Sequence, residues 1–93
     1  MKVLITGASG RIGGTLAAHL RERGHWVRGL DSVPPPAATP LDDSVVGGLL
    51  DLDALNRALD GVDAVAHLAA VMSWHPHENP RLFEVNVTGT YQL

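Results

Sequence analysis

The apolar positions of this chain fall into short runs punctuated by glycine and proline, and the runs follow two different periods. Val3-Leu4-Ile5 is a branched apolar run too short for a helix, as expected of a strand buried on both faces. After Gly7, Gly10 and Gly13, the residues Ile12, Leu16 and Leu20 recur every four positions and predict a helix with one apolar face. Gly24 ends it, just after Arg21 and Arg23. His25 to Asp31 reads as a second strand, with Trp26, Val27 and Leu30 as its apolar members. Ser32 to Asp43 carries Pro34-Pro35-Pro36 and Pro40, which exclude a regular helix or a central strand. Strand-like residues resume at once, so this stretch reads as a shortened crossover and not as a domain linker. Ser44 to Leu49 is the third strand. Asp51 then caps a second helix, with Leu52, Leu55 and Leu59 on one face and Gly61 at its end. Asp63 to Ala70 is a fourth short strand, small at its far end, and Val71 to Pro80 is a loop. From Arg81, the residues Leu82, Asn86, Gly89, Thr90 and Leu93 mark one face of a helix still running at the last residue. The order implies an α/β fold, a doubly wound parallel sheet that is incomplete, with about four strands and a stop within the helix after the fourth.

The glycine turn is where this pattern meets chemistry. Strand, glycine turn and helix together aim free backbone N–H groups at an anion such as a phosphate. The helix dipole adds about 0.3–1 kcal/mol there. Gly7 permits the tight turn, Gly10 lets a diphosphate approach the backbone, and Gly13 lets helix and strand pack closely. Asp31 falls at the carboxyl end of the second strand, about twenty residues beyond the turn. A carboxylate in that place accepts hydrogen bonds from both hydroxyls of an adenosine ribose and repels a 2′-phosphate, which argues for NAD over NADP. Arg28, mid-strand by alternation, points away from that end.

The other candidate side chains have plainer readings. Asp51 and Asp53 are helix-start acids. His67, inside the fourth strand, reads as a packed, hydrogen-bonded core histidine. His75 and His77 flank a proline and lack the helical spacing or third ligand of a zinc site. Met72, Ser73 and Trp74, on the loop leaving the fourth strand, are placed to line a substrate pocket. Asn86 on an inward helix face calls for partners.

Composition narrows the classes. The chain has 93 residues, a formal net charge of −3 and no cysteine. One domain is the ceiling at this length, and thiolate metal sites and disulfides are excluded. No apolar run approaches the roughly 18 residues that span a bilayer. The opening lacks the apolar core of a secretory signal. A mildly acidic chain with scattered arginines carries no nucleic-acid footprint. These features fit a cytoplasmic protein without membrane or nucleic-acid partners.

Thr6-Gly-Ala-Ser-Gly-Arg-Ile-Gly13, then Asp31, then Asp63-Ala-Val-Ala-His-Leu-Ala-Ala70, then Asn86-Val-Thr-Gly-Thr90 occur in a specific order and spacing. In that order they resemble the extended short-chain dehydrogenase/reductase family, in its NAD-dependent epimerase/dehydratase branch. The resemblance covers essentially the whole chain and implies that residues 1–93 are the amino-terminal part of a single Rossmann-like NAD(P)-binding domain. It implies that the backbone around Arg11 and Ile12 holds a diphosphate and that Asp31 with Ser32 holds the ribose. It further implies that Leu68, Ala69 and Ala70 lie along the cofactor and that Asn86 braces its nicotinamide side. Gly48 departs from the family, which often has an aspartate there for the adenine amino group, leaving adenine to backbone near Leu49. A polar residue that some members carry at the position of Met72 is also missing.

The family's Tyr-x-x-x-Lys pair and its later Ser or Thr are absent as well: the single tyrosine, Tyr91, is in the wrong helix, and the single lysine is Lys2. The resemblance therefore implies an epimerase, dehydratase or reductase of a sugar nucleotide or similar carbonyl/alcohol compound whose catalytic pair lies beyond these residues. A non-catalytic nucleotide-sensing module and a truncated product without activity are the competing readings, separated by whether the continuing chain supplies that pair. A homodimer is compatible with the family and is not readable from these positions. Ending at Leu93, the segment leaves its fourth strand with a bare outer edge, so made alone it is expected to be marginally stable.

Overall fold

The computed structural model describes residues 1–70 and 84–93. Strands β1 (Lys2–Thr6), β2 (Trp26–Asp31), β3 (Asp43–Val46) and β4 (Ala64–His67) form one sheet in the order β3-β2-β1-β4. Every pairing in it is parallel. Helix α1 (Arg11–Glu22) joins β1 to β2, and α2 (Leu52–Leu59) joins β3 to β4. A π-helical turn, Glu84–Thr88, runs into the short helix α3 (Gly89–Gln92). The register brings the carboxyl ends of the strands to one level: Thr6 pairs with Leu30 and with His67, and Asp31 with Val46.

Alternation along the strands builds two cores, one on each face. Val3, Ile5 and Val27 point to one side and pack with Ala8 and Ala17, with Leu16 and Leu20 of α1 against them. Leu4 and Leu30 point to the other side and meet Leu49, Leu55 and Ala58, joined by Val85 and Leu93. The sheet is thus doubly wound, as the sequence pattern implies. Arg28 is a structural strut in β2. Its Nη1 donates to the carbonyls of Arg57, Ala58 and Asp60 at the end of α2, at 3.1, 2.8 and 2.8 Å. Its Nε pairs with Asp43 at 2.9 Å, and Trp26 lies under the guanidinium, 4.9 Å from ring centre.

Several boundaries differ from the sequence reading. β3 stops at Val46 and β4 at His67, short of Leu49 and Ala70. Ile12 and Leu52, placed by periodicity on the inward helix faces, are 71% and 56% exposed. Each belongs to the first turn of its helix, which stands beyond the strand tips with no sheet surface beneath it. The helix anticipated from Arg81 is described from Glu84 only, and its first turn is π-helical. The close approach of α3 rests on Gly89, where a Cβ would lie 2.8 Å from the Leu49 Cβ. The stretch between β2 and β3 has no helix or strand, and is tied down by Asp42, whose Oδ2 accepts from Val27 N at 2.8 Å. Asp51 caps α2 by accepting from Ala54 N at 3.1 Å. No helix of the described residues is long and apolar enough to cross a membrane.

Candidate functional site

The strand tips enclose a cleft of about 470 Å³, within the range of small-molecule sites. Gly7 and Gly10 form one side, Leu30, Asp31 and Ser32 the next, then Gly47 to Leu50, and Leu68 to Ala70 with Val85 close it. This is the crevice beyond the carboxyl ends of a parallel sheet, where ligands of such folds bind.

The glycine turn is shaped by contact as much as by conformation. Gly7 has φ of 72°, and a Cβ on it would lie 3.0 Å from Ala69 N and from the Leu68 carbonyl carbon. A Cβ on Gly13 would meet Gly7 O at 2.5 Å and Ala8 Cα at 2.8 Å. At the start of α1 no side chain caps the amides and no acid occupies the first turn, which holds Arg11 instead. The positive end of this helix is left without a compensating anion.

Asp31 joins that turn to the loop after β2. One carboxylate oxygen accepts from Ser9 N at 3.0 Å and the other from Val33 N at 3.2 Å. Ser9 Oγ closes the link by donating to Val33 O at 2.9 Å. A carboxylate offers about four acceptor positions, so about half of its capacity remains for a ligand. On the far side of the cleft, Thr6 Oγ1 accepts from Leu68 N at 3.0 Å and Ala69 N at 3.1 Å. The same hydroxyl lies 2.7 Å from His67 Nδ1, and His67 Nε2 lies 2.8 Å from Thr90 Oγ1.

Of the residues singled out in the sequence, Gly7, Gly10, Asp31, Ser32, Leu49, Leu68, Ala69 and Ala70 come together around this cleft. Gly13 lies buried beneath the turn, Arg11 and Ile12 stand exposed at its rim, and Asn86 is half-buried outside the cleft lining. Leu30, Gly47, Gly48, Leu50 and Val85 also line the cleft and were not among the expected site residues. The parallel register could have found the first four, since it sets the residues after β3 beside Asp31. Met72, Ser73, Trp74, His75, His77 and Leu82 lie outside the described residues. Among the described residues, no group of three or more His, Asp or Glu side chains is placed to hold a metal ion.

The comparisons point to one superfamily. A short-chain dehydrogenase/reductase superfamily protein from Agrobacterium tumefaciens, solved with bound NAD, superposes with a TM-score of 0.87 at 46% identity over 97% of this chain and 26% of its own. UDP-glucose 4-epimerase from Thermus thermophilus, in complex with NAD, gives a TM-score of 0.82 at 32% identity over 100% of this chain and 32% of its own. The 3 beta-hydroxysteroid dehydrogenase/Delta 5→4-isomerase of Mycobacterium tuberculosis (strain ATCC 25618 / H37Rv) is 37% identical over 99% of this chain and 27% of its own length. The chain thus spans about a quarter to a third of the relatives it matches. The family model described as NAD dependent epimerase/dehydratase matches residues 3–93. With the doubly wound parallel sheet, the glycine turn and the acid at the β2 tip all in place, the chain belongs to the NAD-dependent epimerase/dehydratase family.

Proposed function

We propose that these residues are the NAD-binding amino-terminal part of an enzyme that moves a hydride between its cofactor and an alcohol or carbonyl substrate, with a sugar nucleotide as the favoured class. The observation that carries this reading is Asp31, with half of its acceptor capacity spare, facing one cleft with the glycine turn. The residues present fit a dinucleotide. The uncapped first turn of α1 offers amides to a diphosphate, and Gly10 leaves that approach open. Asp31 and Ser32 are set to accept and donate at the ribose, and the negative charge disfavours a 2′-phosphate. The segment Gly47 to Leu50 presents main chain and apolar side chains to the base, and Leu68 to Ala70 shield the far side of the cleft from water.

NAD, when bound, supplies the hydride acceptor. The proton that accompanies the hydride is moved by residues outside this segment. Tyr91 is 89% exposed and Lys2 stands at the opposite end of the sheet, so neither serves. Support for the substrate class comes from the NAD-bound epimerase neighbour and from neighbours solved with UDP-glucose and UDP-glucuronic acid. The steroid dehydrogenase relative keeps the wider class, alcohol and carbonyl, in view.

The test is a calorimetric titration of the full-length protein with NAD and NADP, on wild type, Asp31→Ala and Asp31→Asn. Hydrogen bonds to a charged acceptor contribute about 1.5–3 kcal/mol each. Losing the ribose contacts should weaken NAD binding about 30- to 1000-fold and narrow the preference over NADP. Asp31→Asn keeps an oxygen for one loop amide and separates the charge from loop packing. Unchanged NAD affinity in both variants would remove Asp31 from the site.

A further inference from the structure

The side chains at the β1 and β4 tips form a directed hydrogen-bond chain. Thr6 is fully buried, and its hydroxyl oxygen accepts two backbone amides, from Leu68 at 3.0 Å and Ala69 at 3.1 Å. A hydroxyl has one proton and two lone pairs. With both lone pairs taken, the Thr6 proton is what fills the 2.7 Å gap to His67 Nδ1. That nitrogen is then bare, and the proton of the neutral ring is on Nε2, donated across 2.8 Å to Thr90 Oγ1. Thr90 in turn donates to the Asn86 carbonyl at 2.6 Å. Each group in the series has one direction open to it.

We infer that His67 is a positioning residue, fixed as the Nε2–H tautomer, which orients the Thr6 hydroxyl so that it holds the Leu68 and Ala69 amides at the wall of the cofactor cleft. The consequence for binding rests on the NAD reading given above; the tautomer does not. Gly7 has no slack against the same two residues, since even a Cβ on it would come within 3.0 Å of Ala69 N. A shift of the β4 tip is therefore felt at the glycine turn. Without an acceptor at position 67, the buried Thr6 proton must seek another, and the hydroxyl rotates away from one of its amides. Thr90 extends the same chain to α3, so the helix and both strand tips move as one unit. The sequence shows His67 as a histidine in a strand; the direction of its bonds appears only when Thr6 and Thr90 are seen on either side of it.

Two measurements test this in the full-length protein. Long-range proton–nitrogen correlation spectra of histidine-labelled protein at neutral pH, with the signal assigned by its loss in His67→Asn, should show a bare Nδ1 and a protonated Nε2. The reverse pattern overturns the inference whether or not NAD binds. Titration with NADH should give about tenfold weaker binding in His67→Leu, the loss of about one hydrogen bond. His67→Asn, whose side-chain oxygen can still accept from Thr6, should recover affinity to within about threefold. Equal weakening by Asn and Leu, or none by Leu, overturns the positioning role. Failure of the wild type itself to bind NADH would overturn the binding role together with the NAD reading and leave the tautomer assignment to the spectra.

Discussion

Gly13 offers the sharpest test of how the first turn is packed, because its two neighbours Gly10 and Gly14 serve as controls. A Cβ at Gly13 would lie 2.5 Å from Gly7 O and 2.8 Å from Ala8 Cα, both main-chain atoms that cannot swing aside. Gly13→Ala must therefore separate α1 from the β1 turn, and overpacking of that kind costs about 1–3 kcal/mol. At Gly14 nothing lies within 4 Å of the added carbon, and alanine in a helix gains about 0.5–1 kcal/mol over glycine. Gly10 is intermediate: its Cβ would sit 3.3 Å from Gly7 O, at a backbone conformation open to any residue. Gly10→Ala should cost less than about 1 kcal/mol, chiefly from a poorer helix start. In thermal melts of the full-length protein, a shift of about 2–4 °C accompanies each kcal/mol. Gly13→Ala should melt several degrees below wild type and Gly14→Ala slightly above it, with Gly10→Ala between them. A Gly13→Ala protein that melts at or above wild type would refute the packing argument.

Other substitutions probe the frame around the site. Arg28→Met removes four polar contacts from a mostly buried guanidinium and should destabilise by about 2–3 kcal/mol, read from denaturant midpoints. Arg28→Lys should recover less than half of that, because one ammonium cannot reproduce the fork. Asp51→Ala removes the cap of α2 and should cost about 1 kcal/mol in the same measurement. Residues 1–93 made alone should melt broadly, since β4 is an edge strand and Val65 on it is exposed. A sharp two-state melt of that segment would contradict the reasoning.

The sheet was legible because its strands are buried on both faces, which leaves unbroken branched runs at Val3-Leu4-Ile5 and around Val27. The helix ends were legible too, through Gly24 and Gly61, which both adopt positive φ. Periodicity failed where no surface lay under it: Ile12 and Leu52 keep the helical spacing yet stand clear of the sheet. The fourth strand misled by composition, since Leu68 to Ala70 look strand-like but leave the ladder to line the cleft. At the site, local chemistry marked the glycine turn and Asp31. Thr6 and Thr90 carry no such mark, and their partnership with His67 depends on strand and helix positions more than 20 residues apart. Val85 reaches the cleft only because the π-helical turn and Gly89 bring that segment onto Leu49.

The central claim is that a dinucleotide lies with its diphosphate on the amides at the start of α1 and its ribose on Asp31. A crystal structure of the full-length protein grown with NAD tests it directly. The account predicts electron density for the diphosphate beside Gly10, Arg11 and Ile12, with both ribose hydroxyls within hydrogen-bonding distance of the Asp31 carboxylate. Density for NAD elsewhere on the protein, or a ribose turned away from Asp31, would contradict it.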